Sequence, residues 1–242
     1  MLMPDPDTAY HQRRDQIEHY FDRTAMQAWE QLTSTAPVGR IRATVRAGRE
    51  RMRATLLDWL PADLHGLRIL DAGCGTGAFA MAAAKRGADV VAIDISPSLV
   101  EVAVRRVAQH LDVFEGGGHI DFRSGDFNDE SLGEFDIVVA MDSLIHYTTD
   151  DAVRVLRGWS CRTRRSLLFT FAPSSPLLVA MHAVGRLFPR SDRAPAIEPV
   201  AERSLRRLLA TDDGLAPWAT GRTQRVACGF YTSQAFELRR DA

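Results

Sequence analysis

The chain has 242 residues, 45% of them apolar, and a formal net charge of −1. That length and apolar content suit one α/β domain with elaborations, and the near-neutral charge argues against nucleic acid as a partner, although local arginine stripes remain. Cys74, Cys161 and Cys228 lie far apart with no C-x-x-C pair, which argues against a disulfide framework or a zinc site and fits a reducing, cytoplasmic setting. Met1 to Thr8 carries two prolines and two aspartates where a signal peptide would be basic and then apolar, so no signal peptide is expected.

Tyr10 to Leu32 reads as an amphipathic helix, with Ile17, Tyr20, Phe21, Met26 and Trp29 recurring at mixed three- and four-residue steps. Thr33 to Gly39 breaks the pattern. A second helix is expected from about Arg40 to Leu60, where Ile41, Val45, Met52, Leu56 and Trp59 form an apolar stripe and Pro61 marks the end. Arg42, Arg46, Arg49 and Arg53 share one face of it. They are either a solvated face or a surface that binds carboxylates, for which guanidinium is the preferred bidentate partner.

The pattern changes at Leu67. Leu-Arg-Ile-Leu ends in Asp71, and Gly73, Gly75 and Gly77 follow before a helical pattern begins at Ala78. This is a strand, a tight loop and a helix N-terminus, where glycines let the backbone approach a ligand and unpaired N–H groups face it. The spacing satisfies a relaxed dinucleotide fingerprint, with Ala78 in its third place. Asp71 decides against a dinucleotide, because a carboxylate at the loop's mouth repels a pyrophosphate and attracts the α-ammonium of a methionine moiety. The D-x-G-x-G-x-G arrangement resembles motif I of class I S-adenosylmethionine-dependent methyltransferases.

Strand and helix then alternate, the signature of a mainly parallel sheet. The second strand, Asp89 to Ile93, ends at Asp94, placed to accept hydrogen bonds from a ribose diol. A helix from about Ser98 to His110 and the turn Gly116 to Gly118 lead to a third strand, Ile120 to Arg123. Just past it Asp126 can accept from an adenine amino group and Phe127 can stack on the base. The fourth strand, Phe135 to Met141, is the most hydrophobic and therefore central. Met141 is assigned to the cofactor, and His146 and Tyr147, just beyond it, are expected to face the site at the carboxyl edge of the sheet. A helix from Asp150 to about Thr163, a fifth strand from Ser166 to Phe171, and a closing hairpin of Gln224 to Tyr231 with Gln234 to Arg239, which carries Glu237, complete the core. Ala172 to Gly221 is irregular. It holds an apolar helix, Leu177 to Phe188, and then Phe-Pro-Arg-Ser-Asp-Arg-Ala-Pro, and is expected to form a lid over a large, flat substrate.

Taken together, His-Tyr-Phe-Asp-Arg-Thr-Ala from His19, Asp-Ala-Gly-Cys-Gly-Thr-Gly, Asp94-Ile-Ser, Asp142-Ser-Leu-Ile-His-Tyr and the Phe-Pro-Arg-Ser-Asp-Arg segment resemble the magnesium-protoporphyrin IX O-methyltransferases of (bacterio)chlorophyll synthesis. The resemblance runs from about residue 15 onwards. It implies a Rossmann-like class I fold, with a seven-stranded, mainly parallel sheet, an antiparallel last strand, a helical extension over residues 1–60 and a methyltransferase core over 61–242 with the lid at about 172–221. It implies methyl transfer from S-adenosylmethionine to a propionate of magnesium protoporphyrin, with magnesium arriving in the substrate and no protein-bound metal. It further implies delivery of the porphyrin by the large subunit of magnesium chelatase, and is compatible with peripheral attachment to photosynthetic membranes. Asp71, Gly73, Gly75, Asp94 and Asp126 carry over to the cofactor and His146 to the reacting group, while Tyr20, Tyr147, Arg190 and Arg193 are assigned to substrate. A tyrosine that some members carry aligns with Thr33, so its role does not transfer. The competing readings are a methyltransferase of a quinone precursor, an NAD-dependent dehydrogenase, which Asp71 disfavours, and a non-catalytic cofactor-binding partner of the chelatase.

Overall fold

The computed structural model describes residues 13–15, 17–20, 39–110, 115–174 and 197–240. Seven strands form one sheet: β1 (Arg68–Ala72), β2 (Asp89–Asp94), β3 (His119–Ser124), β4 (Phe135–Ala140), β5 (Thr163–Phe171), β6 (Trp218–Cys228) and β7 (Tyr231–Arg240). Their order is β3-β2-β1-β4-β5-β7-β6. The first five run parallel, and β7 lies antiparallel between β5 and β6. β1 and β4 are adjacent at the point where the order reverses, so their carboxyl ends open the crevice in which such sheets bind ligands.

Neighbouring residues along each central strand feed opposite faces of the sheet. Leu70, Val91, Val138 and Leu167 pack with Trp159 and Leu205 on one side. Ile69, Val90, Val139 and Leu168 pack with Met52, Leu56 and Phe79 on the other. The second face is covered by α1 (Arg40–Asp58) and α2 (Ala78–Ala84). The helix α3 (Pro97–Ala108) follows β2, its first turn set by Pro97 and by Ser96, whose Oγ accepts from the Leu99 N–H at 3.3 Å. The helix α4 (Thr149–Ser160) precedes β5, and α5 (Glu202–Thr211) packs on the α4 side through Leu205 and Leu209.

Where α1 crosses β7 the packing depends on a missing side chain. A Cβ at Gly48 would stand 2.3 Å from Tyr231 Cδ1. Gly48→Ala keeps a helical backbone but forces the ring or the helix to move, and it is expected to cost about 1 to 3 kcal/mol of stability. Thermal unfolding measures it, and an unchanged Tm would show that the ring yields freely.

Several boundaries differ from the sequence reading. The fifth strand starts at Thr163 instead of Ser166, and α4 ends at Ser160. Tyr231 opens β7 instead of closing its partner, and β6 begins at Trp218, inside the segment expected to be lid. The remainder of that segment contains α5, a regular helix. Both misreadings have one cause: β6 is a largely exposed edge strand whose pairing is interrupted between Thr220 and Thr223, and α5 buries only Leu205 and Leu209, so neither shows a full apolar period. The helix expected at Leu177 to Phe188, together with Arg190, Arg193 and Thr33, lies outside the described residues. Among the described residues no helix is long and apolar enough to cross a membrane.

Candidate active site

The loop after β1 has the geometry its glycines call for. Gly73 and Gly77 take φ of 78° and 76°, the left-handed region that side chains avoid. At Gly73 there is also no room, because a Cβ would lie 2.4 Å from the Cβ of Ser143. The Gly73 and Cys74 N–H groups both donate to the Ile93 carbonyl, at 2.8 and 3.0 Å, tying the loop to the end of β2.

Two buried acids frame this loop. Asp94 receives the Gly75 N–H at 2.8 Å and the Ser96 N–H at 3.0 Å. Burial nevertheless holds its carboxyl above the usual carboxylate range, with the backbone donors pulling the other way. Asp71 is only 2% exposed, and burial, opposed by the Ala80 N–H and reinforced by the charge of Asp94, pushes its carboxyl up to about 7. Asp71 Oδ2 and Ser143 Oγ are the two buried side-chain polar atoms without a hydrogen-bond partner among the described residues.

Two hollows adjoin at this point. The larger, about 660 Å³ including its mouth, takes in Gly73, Gly75, Asp94, Asp126, Phe127, Met141, His146 and Tyr147, the strand-end residues expected from the sequence. The second, about 530 Å³, takes in Asp71 with Arg46, Arg49, Glu50 and Arg53. Gly73, Met141 and Arg49 belong to the walls of both. Asp126 is half-buried, with Oδ1 accepting the Asn128 N–H at 2.8 Å and Oδ2 lying 3.5 Å from Arg14 Nη1. Phe127 is held edge-on by Trp159 and Tyr147, with ring centroids at 5.3 and 6.1 Å. The buried His146 ends a short 3-10 turn, Leu144–His146, and its carbonyl accepts from Arg13 Nη1 at 2.8 Å. Tyr20, half-buried, lines neither hollow. Among the described residues no group of three or more His, Cys, Asp or Glu could hold a metal ion.

The floor between the hollows is built around Asp142. It is the one non-glycine with positive φ, 56°, among the described residues. Its side chain is 4% exposed, and its carboxylate accepts from Arg49 Nη1 at 2.6 Å, from the Tyr231 hydroxyl at 3.1 Å, from Ser233 Oγ at 3.1 Å and from Thr170 Oγ1 at 3.2 Å. The Asp142 N–H donates to Thr170 Oγ1 at 2.7 Å. Burial, with the neighbouring Asp142 charge, drives the Tyr231 phenol well above its usual value, so it stays a donor. Arg49 therefore spends its charge on Asp142, and the row Arg42, Arg46, Arg49 and Arg53 is not a uniform surface: Arg53 Nη2 in turn pairs with Glu50 at 2.7 Å.

A family profile described as magnesium-protoporphyrin IX methyltransferase C-terminus matches residues 140–240, and a methyltransferase-domain profile matches 69–165. The magnesium-protoporphyrin O-methyltransferase of Rhodobacter capsulatus is 46% identical over 95% of this chain and 98% of its own length. The chain belongs to the magnesium-protoporphyrin O-methyltransferase family. The crystal structure of magnesium protoporphyrin IX methyltransferase from Synechocystis PCC 6803 with bound SAH superposes with a TM-score of 0.82 at 27% identity, covering 95% of this chain and 100% of that one, which establishes the class I methyltransferase fold. A ubiquinone biosynthesis O-methyltransferase from Xanthomonas oryzae is 34% identical over 55% of this chain and 58% of its own.

In this member of the magnesium-protoporphyrin O-methyltransferase family, the glycine loop and the three strand-end acids expected from the sequence lie on the walls of the two hollows, Asp94 and Asp126 on the larger and Asp71 on the second. The sequence reading missed Arg14, Ile17, Asp142 and Ser143, all of which line the larger hollow. Asp142 carried one usable signal: an acid directly after the central strand, followed by a polar residue, at the edge where the site had to be.

Proposed function

We propose that this chain transfers the methyl group of S-adenosylmethionine to a propionate carboxylate of magnesium protoporphyrin IX, giving the monomethyl ester. The observation that carries the reading is the near-full-length identity to the Rhodobacter capsulatus enzyme. The residues present fit the donor. Asp71 Oδ2, buried without a partner, complements an α-ammonium, and Arg46 and Arg53 stand in the same hollow for the adjoining carboxylate. Asp94 serves the ribose diol, and Asp126 and Phe127 the base.

When bound, the donor would supply an electrophilic methyl carbon on a sulfonium: a carboxylate oxygen bonds to that carbon in line as the carbon–sulfur bond opposite breaks, and S-adenosylhomocysteine leaves with the electron pair. A propionate with a pKa of roughly 4 to 5 is already ionised at neutral pH, so the protein has no proton to remove. Its work is to position the two reactants and exclude water. His146, buried in the larger hollow after the central strand, orients the carboxylate or screens its charge. Tyr147 and the segment at about 172–221, with Arg190 and Arg193, serve the macrocycle and its second propionate. The proposal includes cytoplasmic residence and delivery of the porphyrin by the large subunit of magnesium chelatase. Co-sedimentation with that subunit, and with lipid vesicles, tests the delivery.

The deciding experiment is incubation with methyl-labelled S-adenosylmethionine and magnesium protoporphyrin, followed by detection of the labelled monomethyl ester. The second reading, methylation of a quinone-precursor phenol, draws on the partial likeness to the Xanthomonas enzyme and requires a base. His146→Gln, which keeps a hydrogen-bond donor, is therefore expected to retain most of the rate, and His146→Ala to lose roughly tenfold. Equal losses of ~10²- to 10⁴-fold in both would mark His146 as a general base and reopen the choice of acceptor.

A further inference from the structure

Among the described residues two buried side-chain polar atoms lack a partner, and both belong to residues beside the same glycine. Asp71 Oδ2 precedes Gly73 by two positions in the chain, and Ser143 Oγ lies 3.2 Å from where a Gly73 Cβ would be. Buried polar groups in folded proteins are almost always satisfied, and these two open one into each hollow on either side of Gly73, which lines both, so a ligand group at that junction is the partner that serves them. One atom is a carboxylate oxygen, which only accepts. The other is a hydroxyl oxygen, which can accept while donating elsewhere. A group offering several N–H donors and a positive charge satisfies both, and a carboxylate, phosphate or carbonyl does not.

The backbone has been bent to aim Ser143. Asp142, directly before it, is held in the left-handed region by donors from α1, β5 and β7. Such a conformation is strained in a non-glycine residue and persists where the surroundings over-determine it. It turns the chain leaving β4 so that the Ser143 Cβ comes against the bare Cα of Gly73. We propose that Ser143 is a binding residue for the α-ammonium of the methyl donor, its Oγ accepting one N–H while Asp71 Oδ2 accepts another. The inference rests on the reading that these hollows take S-adenosylmethionine, and it assigns the donor's amino-acid end to the junction between them.

The test compares two ligands of the same protein by calorimetry. S-adenosylhomocysteine carries the ammonium, and 5′-methylthioadenosine has the same nucleoside and thioether without the amino acid. Wild type should bind S-adenosylhomocysteine far more tightly. Ser143→Ala should weaken S-adenosylhomocysteine roughly tenfold or more, as expected for a hydrogen bond to a charged group, while leaving 5′-methylthioadenosine within about twofold and the Tm unchanged. If Ser143→Ala weakens both ligands equally, or neither, the assignment of Ser143 is wrong although the donor site stands. If wild type itself does not distinguish the two ligands, the placement of the amino-acid end at Asp71 fails and takes the Ser143 assignment with it.

Discussion

Asp71→Asn should weaken S-adenosylhomocysteine binding roughly 100- to 1000-fold, the scale expected when one partner of a buried charge pair is removed, and should at the same time make the ligand-free protein more stable above neutral pH. Both effects come from one buried carboxylate. Burial pushes its carboxyl up to about 7, well above the ordinary carboxylate range, so folding disfavours its ionised form. The sign follows: relative to an Asn at this position, wild type carries no ionisation penalty at pH values below about 4. It loses stability as pH rises towards 7, and above that the penalty is constant, on the order of 4 kcal/mol. The ligand's ammonium reverses the balance by favouring the ionised form, so wild-type affinity should rise with pH up to about 7, with proton release on binding, and then level off. Calorimetry from about pH 6 to about pH 7.5, with thermal unfolding of the ligand-free forms, measures both. Affinity independent of pH in wild type would mean that Asp71 does not ionise to receive the ligand.

The second large effect is expected at Asp142. Asp142→Ala removes the acceptor of Arg49, Tyr231, Ser233 and Thr170 at once and takes the carboxylate away from a mostly buried guanidinium. It should cost about 3 to 5 kcal/mol. Asp142→Gly loses the same acceptor but accepts the φ of 56° freely, and should be less damaging than Ala by about 1 kcal/mol. Denaturant unfolding of the two variants measures the difference. Equal losses would show that the backbone here stores no strain.

How much of this was legible in the sequence depended on distance along the chain. Asp71 and the glycines sit within seven residues, so a local pattern carried both their conformation and their chemistry. Asp94 could be placed because it ends a short apolar strand and Asp126 because it lies two residues past the next one, and the parallel sheet brings such ends to one edge. Arg49 and Asp142 are 93 positions apart, and nothing in either neighbourhood announces the other. Their meeting depends on the register of β4 against β5 and of β5 against β7, and on Gly48 letting α1 approach Tyr231. The arginine row showed its spacing but not that one member faces a carboxylate and another an acid on its own helix. Ser143 was legible only as a polar residue, because an unpaired hydroxyl is a property of its surroundings.

The position of β7 bears on how the molecule comes into being. Tyr231 and Ser233 lie in β7, which follows every other described strand in chain order, yet they complete the cage around Asp142 and seat α1, which precedes them all. β7 also inserts between β5 and β6, so until it arrives β5 is an open sheet edge. A nascent chain, or one cut short before Tyr231, therefore holds a finished glycine loop beside a helix that lacks its Tyr231 seat and an unpaired strand. Such an intermediate favours association with other chains over ligand binding.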